Sequence, residues 1–275
     1  MSDSPPILIL SAPGSAATQL QSGLAVHPDL LPLPPLPLFM ADRCGDLLQI
    51  LNLDQSGRVD DLVRAIHQLH QLSGGREDAD HSWQWLQRRA DKSSAGLLQD
   101  MMALAAPRRL LIADSESPMR PMDMRRIMTS KLAMKRLHLT HHPMAQGLDL
   151  ACWAREQLFV PVDYKDHAGS PPLVDPQIPW IRANRNIAAA LGPDAAPESR
   201  RVSLEAVVAQ DGTAADQLFS WLGLTVPAGW ADAAAALRAA IKPLPESSLD
   251  QALPWRTDGK GFDSAVIELA RTYGY

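Results

Sequence analysis

Residues Ile7 to His27 read ILILSAPGSAATQLQSGLAVH. Ile7 to Leu10 are four apolar residues bounded by turn formers, the pattern of a short buried strand. Ser11 to Ser15 make a small-residue loop. Ala16 to Val26 then read as a helix that puts Leu20, Leu24 and the aliphatic part of Gln21 on one face. A strand turning through small residues into a helix N-terminus leaves backbone N–H groups free at the positive end of the helix dipole, which suits a phosphate. The same turn also serves simply to pack strand on helix, and the spacing leaves both readings open.

Composition bounds the rest. A chain of 275 residues with 46% hydrophobic content can bury a proper core, and we expect one domain carrying a helical insertion over about 39–105. The net charge of −5 lacks the basic field of a nucleic-acid binder. Cys44 and Cys152, far apart and without metal-ligand spacing, argue against a disulfide framework and suit a reducing compartment. No leader-like pattern precedes Ile7 and no apolar run approaches a membrane span, so the expectation is a cytoplasmic protein without a membrane partner.

From His27 to Leu38 prolines stand at 28, 32, 34, 35 and 37, which excludes helix and central strand. The segment is expected to be stiff and extended, lining a cleft or offering a polyproline surface. Phe39 to Ala105 has helical periodicity through Leu47, Ile50, Leu51, Leu62, Ile66, Leu69, Trp83, Leu86, Leu97, Leu98, Met101 and Leu104, broken at Gly74–Gly75 into at least two pieces. Two further strands are predicted at Arg109–Ala113 and Arg136–Thr140. Helices are expected over 121–132, 144–157, 180–191, 214–222, 231–240 and 262–273, an edge strand over 200–204, and a loop over 159–179. Short apolar strands, each followed by a helix, imply a parallel sheet with right-handed crossovers.

The order of these pieces resembles the sulfotransferase family, most closely the sulfotransferase domains associated with bacterial polyketide synthases. APGSAATQLQSGLAVHPDL is similar to the family's 5′-phosphosulfate loop, P-R-S-G-T-T-L-L followed by a helix and H-P-D/E-L. KRLHLTHHPMAQGLDL resembles its 3′-phosphate segment, and PWIRANRNIAAAL a later helix. RRVSLEAVV, FSWLGL and IELARTYGY stand where the family has R-Y-E-D-L-V, F-L-G-L and a similar last segment. The resemblance implies a parallel sheet flanked by helices, related to P-loop nucleotide kinases. It also implies 3′-phosphoadenosine-5′-phosphosulfate as donor, with cofactor-binding candidates Gly14, Ser15, Ala16, Ala17 and Thr18.

The departures fall on the chemistry. The loop's arginine or lysine aligns with Gly14, and its glycine and first threonine with Ala16 and Ala17. The polyketide-associated P-P-E-L-H, whose glutamate and histidine are the implied acid/base groups, reads P-P-L-P-L here, with Leu36 and Leu38 in those places. The basic residue of a D-K-S-P-like turn is missing from Asp114 to Pro118. The 3′-phosphate arginine aligns with His141, and the serine with Asp149. Sulfuryl transfer relies on positioned cations and donors, as phosphoryl transfer does. Losing one donor costs about 3–4 kcal/mol of barrier, and losing an acid or base a further factor of about 10²–10⁴.

His141 ends a strand over the presumed crevice and is the first candidate for remaining acid/base catalysis, with Asp149 or Glu116 as partner. A helix-capping or space-filling role for His141 or His142 explains the same residues. His138 sits mid-strand, where alternation points it away from His141, so no metal is expected. The basic run Arg120, Arg125, Arg126, Lys131, Lys135 and Arg136 reads as a solvated helix face or as a dock for an acidic carrier protein. Arg256 and Lys260 in WRTDGKGF read as a residual anion contact or an ordinary Asp-Gly turn. The leading reading is an atypical tailoring enzyme of natural-product biosynthesis acting on a hydroxylated small molecule or acyl-carrier-bound intermediate, with no certain cofactor. A phosphosulfate-dependent sulfotransferase with relocated catalytic groups and an inactive scaffolding homologue are its rivals.

Overall fold

The computed structural model describes residues 4–53, 58–71, 75–168, 170–192, 197–241, 248–256 and 258–275. The first apolar run forms β1 (Ile7–Ser11) and the turn delivers α1 (Ala17–Leu24). β2 (Leu30–Pro32) follows, then α2 (Cys44–Leu53), α3 (Arg58–Leu69), α4 (Arg76–Gln87) and α5 (Ser94–Ala105). Next come β3 (Arg109–Asp114), α6 (Pro121–Thr129), β4 (Lys135–Thr140) and α7 (Pro143–Glu156). A small hairpin, β5 (Lys165–Asp166) with β6 (Leu173–Val174), precedes α8 (Gln177–Leu191). The chain continues through β7 (Ser199–Ser203), α9 (Leu204–Val207), α10 (Thr213–Leu222), α11 (Trp230–Ala240) and α12 (Ser264–Thr272).

Among the described residues, five strands pair in parallel in the order β2-β3-β1-β4-β7. β1 is central because both its faces are apolar, and a strand buried on both sides needs helices above and below. Alternation then divides the core. Leu8, Leu10, Leu110 and Ile112 face α2, α3, α5 and α6, whereas Ile7, Ile9, Leu111, Ala113, Leu137 and Leu139 face α1, α10 and α11. A third cluster joins α7, α8 and α12 through Met144, Trp180, Ala183 and Val266. Gln21 on α1 is 2% exposed, and its amide donates to the carbonyls of Leu33 at 2.9 Å and Leu111 at 2.6 Å. A buried polar side chain thus finds its partners on backbone carbonyls, that of Leu111 being shared with the Leu33 N–H.

Several boundaries differ from expectation for identifiable reasons. α1 starts one residue late because Ala16 adopts φ 58°, outside the helical region. Residues 39–105 form four helices, within the expectation of at least two. Their core side includes Trp85 and Leu86, while Ile50 is exposed and Trp83 half-buried. The proline-dense segment contributes the edge strand β2 and then packs inward: Leu36 and Leu38 are buried in the α2–α6 core rather than lining a cleft. The expected loop over 159–179 contains β5, β6 and the first turn of α8, where Pro179 sits at a position whose N–H needs no helical partner.

Candidate functional site

The turn after β1 is built by two residues in the left-handed region, Gly14 at φ +79° and Ala16 at φ +58°. Glycine is needed at 14 for a second reason: a Cβ there would stand 3.1 Å from the Leu150 Cβ and 3.2 Å from the Gln146 carbonyl on α7. Ala16 gains no such relief and carries roughly 1–2 kcal/mol of backbone strain. It also caps α1 without a side-chain acceptor, so the first amides of the helix open uncapped beyond the sheet edge. Beside them lies a cavity of 560 Å³, lined by residues 11–19 together with Arg58, Ser115, Glu116, Asp149, Trp153, Glu156 and Tyr164, among others. Its place at the carboxyl ends of parallel strands is the usual one for a ligand in such folds, and its size suits a small molecule.

All five cofactor-binding candidates, Gly14, Ser15, Ala16, Ala17 and Thr18, line this cavity, as do Glu116 and Asp149. Among the described residues lining it, the one cation is Arg58, whose guanidinium sits 3.2 Å from Glu116. Tyr164 contributes a phenol at 3.5 Å from the same carboxylate, and burial, then the Glu116 charge, holds it in the neutral form. Behind Glu116, Asp114 ends β3 fully buried. Its Oδ1 accepts the N–H groups of Glu116 and Ser117 at 3.0 and 2.9 Å, and burial outweighs those bonds to push the carboxyl up to about 6.

His141 does not line the cavity, and it meets neither Asp149 nor Glu116. Its imidazole is fully buried, with Nδ1 2.7 Å from Glu205 Oε1 on α9. Glu205 also accepts from the His142 N–H at 2.8 Å, the Ser203 hydroxyl at 2.7 Å and the Tyr275 hydroxyl at 3.1 Å. Burial favours a neutral carboxyl, but the His141 bond and charge and the backbone N–H of His142 outweigh it and hold Glu205 at about 2. Sequence reasoning missed Glu205, although it lies within RRVSLEAVV two residues past a Ser that caps α9. Arg58 had no local signal, being supplied by a helix more than forty residues beyond the loop.

The neighbouring groups are spent on structure. His142 caps α7, its Nδ1 accepting the Met144 N–H at 3.1 Å, and burial pushes its pKa down to about 4. His138 bonds Asn184 on α8 at 2.8 Å. The basic run is not one face: Arg126 bonds Asp42 and Asp123, while Lys135 reaches the Pro197 carbonyl. Arg256 grips Asp258 in a fork and Asp175 at 2.9 Å, so carboxylates take the place of an external anion. Among the described residues no three His, Cys, Asp or Glu side chains converge as a metal site, both cysteines are free, and no helix is long and apolar enough to cross a membrane.

A parallel β2-β3-β1-β4-β7 sheet flanked by helices, with a cavity at the turn after its central strand, defines an α/β protein. Two solved structures narrow this. The sulfotransferase domain from the Synechococcus PCC 7002 olefin synthase matches with a TM-score of 0.71 at 22% identity, over 98% of this chain and 94% of that one. The sulfotransferase domain from the curacin biosynthetic pathway matches with a TM-score of 0.71 at 18% identity, over 98% of both chains. The chain has the sulfotransferase fold. No protein-family model matches it, and neither does any curated protein sequence.

Proposed function

We propose that this protein is an atypical tailoring enzyme of natural-product biosynthesis, acting on a hydroxylated or carrier-bound acyl substrate without 3′-phosphoadenosine-5′-phosphosulfate. The setting of the two similar domains, an olefin synthase and the curacin pathway, supports the biosynthetic context. One observation supports the altered chemistry: among the described residues lining the cavity the one cation, Arg58, is paired with Glu116, and Asp149 and Glu156 add further carboxylates to the lining. A donor bearing phosphates at both ends needs several positioned cations, each worth about 3–4 kcal/mol in the transition state.

In this reading the groups that touch substrate are Glu116 and Asp149, with the amides of Ala16 and Ala17 taking an acceptor oxygen. His141 is a positioning residue: held on Glu205, it fixes the strand end from which α7 and Asp149 depart. The uncapped cradle amides favour one rival, a phosphosulfate-dependent enzyme with relocated groups. Calorimetry with 3′-phosphoadenosine-5′-phosphate separates the two. No binding at millimolar nucleotide is expected, and micromolar binding would overturn the proposal.

A further inference from the structure

One stripe of α7 carries Asp149, Trp153 and Glu156, spaced four and then three residues apart, and all three line the cavity. Tyr164 lines it from the segment that follows α7. Its ring centroid stands 6.3 Å from that of Trp153, with the two planes 53° apart. A cation placed between two such rings can lie within about 6 Å of both centroids, the range over which an aromatic face attracts positive charge. Tyr164 is backed by the core, whereas Trp153 is 39% exposed, so the pair is open to solvent on the indole side.

The charges of the lining point the same way. Glu116 is matched by Arg58, and Asp149 is engaged within the protein. Glu156, one helical turn beyond Trp153, is exposed and makes no hydrogen bond or ion pair. It is a carboxylate beside an aromatic pair, with no cation of the described chain to meet it. The positive end of α1 supplies only about half an elementary charge, and its effect fades within one turn. Among the described residues no three acidic, histidine or cysteine side chains converge, which leaves a hard metal ion without a ligand set.

We infer that Trp153 and Tyr164, with Glu156 beside them, bind an alkylammonium group of the substrate. The inference rests on the proposed use of the cavity as a substrate site and adds the charge that the substrate carries there. An exposed carboxylate alone holds a cation weakly, and an aromatic face alone accepts a neutral alkyl group nearly as well. Together they discriminate an ammonium from a neutral group of the same shape.

The test compares choline with 3,3-dimethylbutan-1-ol, its uncharged isostere in which carbon replaces nitrogen. Binding is read by calorimetry and by protection of Cys152 from iodoacetamide, since Cys152 is exposed and lines the cavity while Cys44 is buried. Choline is expected to bind at least about tenfold more tightly than the isostere. Trp153→Leu should abolish that preference and Trp153→Phe keep part of it, both with an unchanged Tm. Glu156→Gln should reduce it about two- to fivefold, and added salt should weaken choline binding but not that of the isostere. Equal affinities, no choline binding at tens of millimolar, or a preference that Trp153→Leu retains overturns the inference. Displacement of choline by millimolar calcium also overturns it, by assigning the carboxylates to a metal. Micromolar nucleotide binding with the choline preference intact would defeat the proposed reaction but not this site. Loss of the preference without nucleotide binding would do the opposite.

Discussion

The Nδ1 of His141 lies 2.7 Å from Oε1 of Glu205, and that carboxylate also takes the next residue's N–H, so one side chain ties α9 to the end of β4. Glu205 is held well below its ordinary value, which makes the unfolded chain the tighter proton binder. Its contribution to stability is therefore present above pH 4.5 and lost as pH falls toward about 2. Glu205→Gln should lower stability at pH 7 by about 3 kcal/mol and reduce acid sensitivity in that window. Urea unfolding at a series of pH values checks both.

Asp114 titrates with the opposite sign. Its native carboxyl is raised from 3.8 to about 6, so the stability linked to it is full below 3.8 and lost as pH rises through about 6. Asp114→Asn, whose Oδ1 can still accept the Glu116 and Ser117 amides, should gain up to about 3 kcal/mol at pH 8 relative to pH 4 when compared with the parent. Equal shifts at both pH values would contradict the account. His142, pushed down to about 4, contributes a further rise with pH between 4 and 6.5, which His142→Asn should remove while keeping a cap.

Gly147 on α7 is packed against the indole of Trp255, whose six-membered-ring carbons occupy the space a Cβ would need. Gly147→Ala must push an indole aside and should cost about 1–3 kcal/mol, read as a lower urea midpoint with an unchanged m-value. The pair Gly147→Ala/Trp255→Leu should recover much of the loss.

Ala16 holds a left-handed conformation that glycine adopts without a Cβ penalty. Ala16→Gly should therefore be neutral or raise stability by up to about 1 kcal/mol, a rare sign for a glycine substituted at a helix start. Thermal unfolding measures it. A loss larger than about 1 kcal/mol would mean that the methyl group packs more than it strains.

The strands and most helices were legible because their signals are local. β1, β3 and β4 are short apolar runs bounded by turn formers, and Pro121 and Pro143 open α6 and α7. The loop residues 14–18 were legible for the same reason. What failed was long-range pairing. Alternation and spacing place His141 at a sheet edge, but they do not say whether its ring turns toward Asp149 or toward Glu205, sixty-four residues on. Leu36 and Leu38 looked like positions over a cleft, yet a neighbouring helical layer covers them. Arg58 could not be assigned to the cavity at all, since its partner Glu116 lies on the far side of three helices in sequence.

That ion pair has a thermodynamic corollary. Arg58 begins α3, part of the helical layer between β2 and β3, whereas Glu116 belongs to the sheet edge. The wall of the cavity is thus shared between two regions of the chain that must be seated together for it to exist. Whatever occupies the space is bound only by the seated arrangement, so occupancy and seating reinforce each other by the same free energy. Slower amide exchange along α3 on loading is the reciprocal of tighter loading when α3 is clamped.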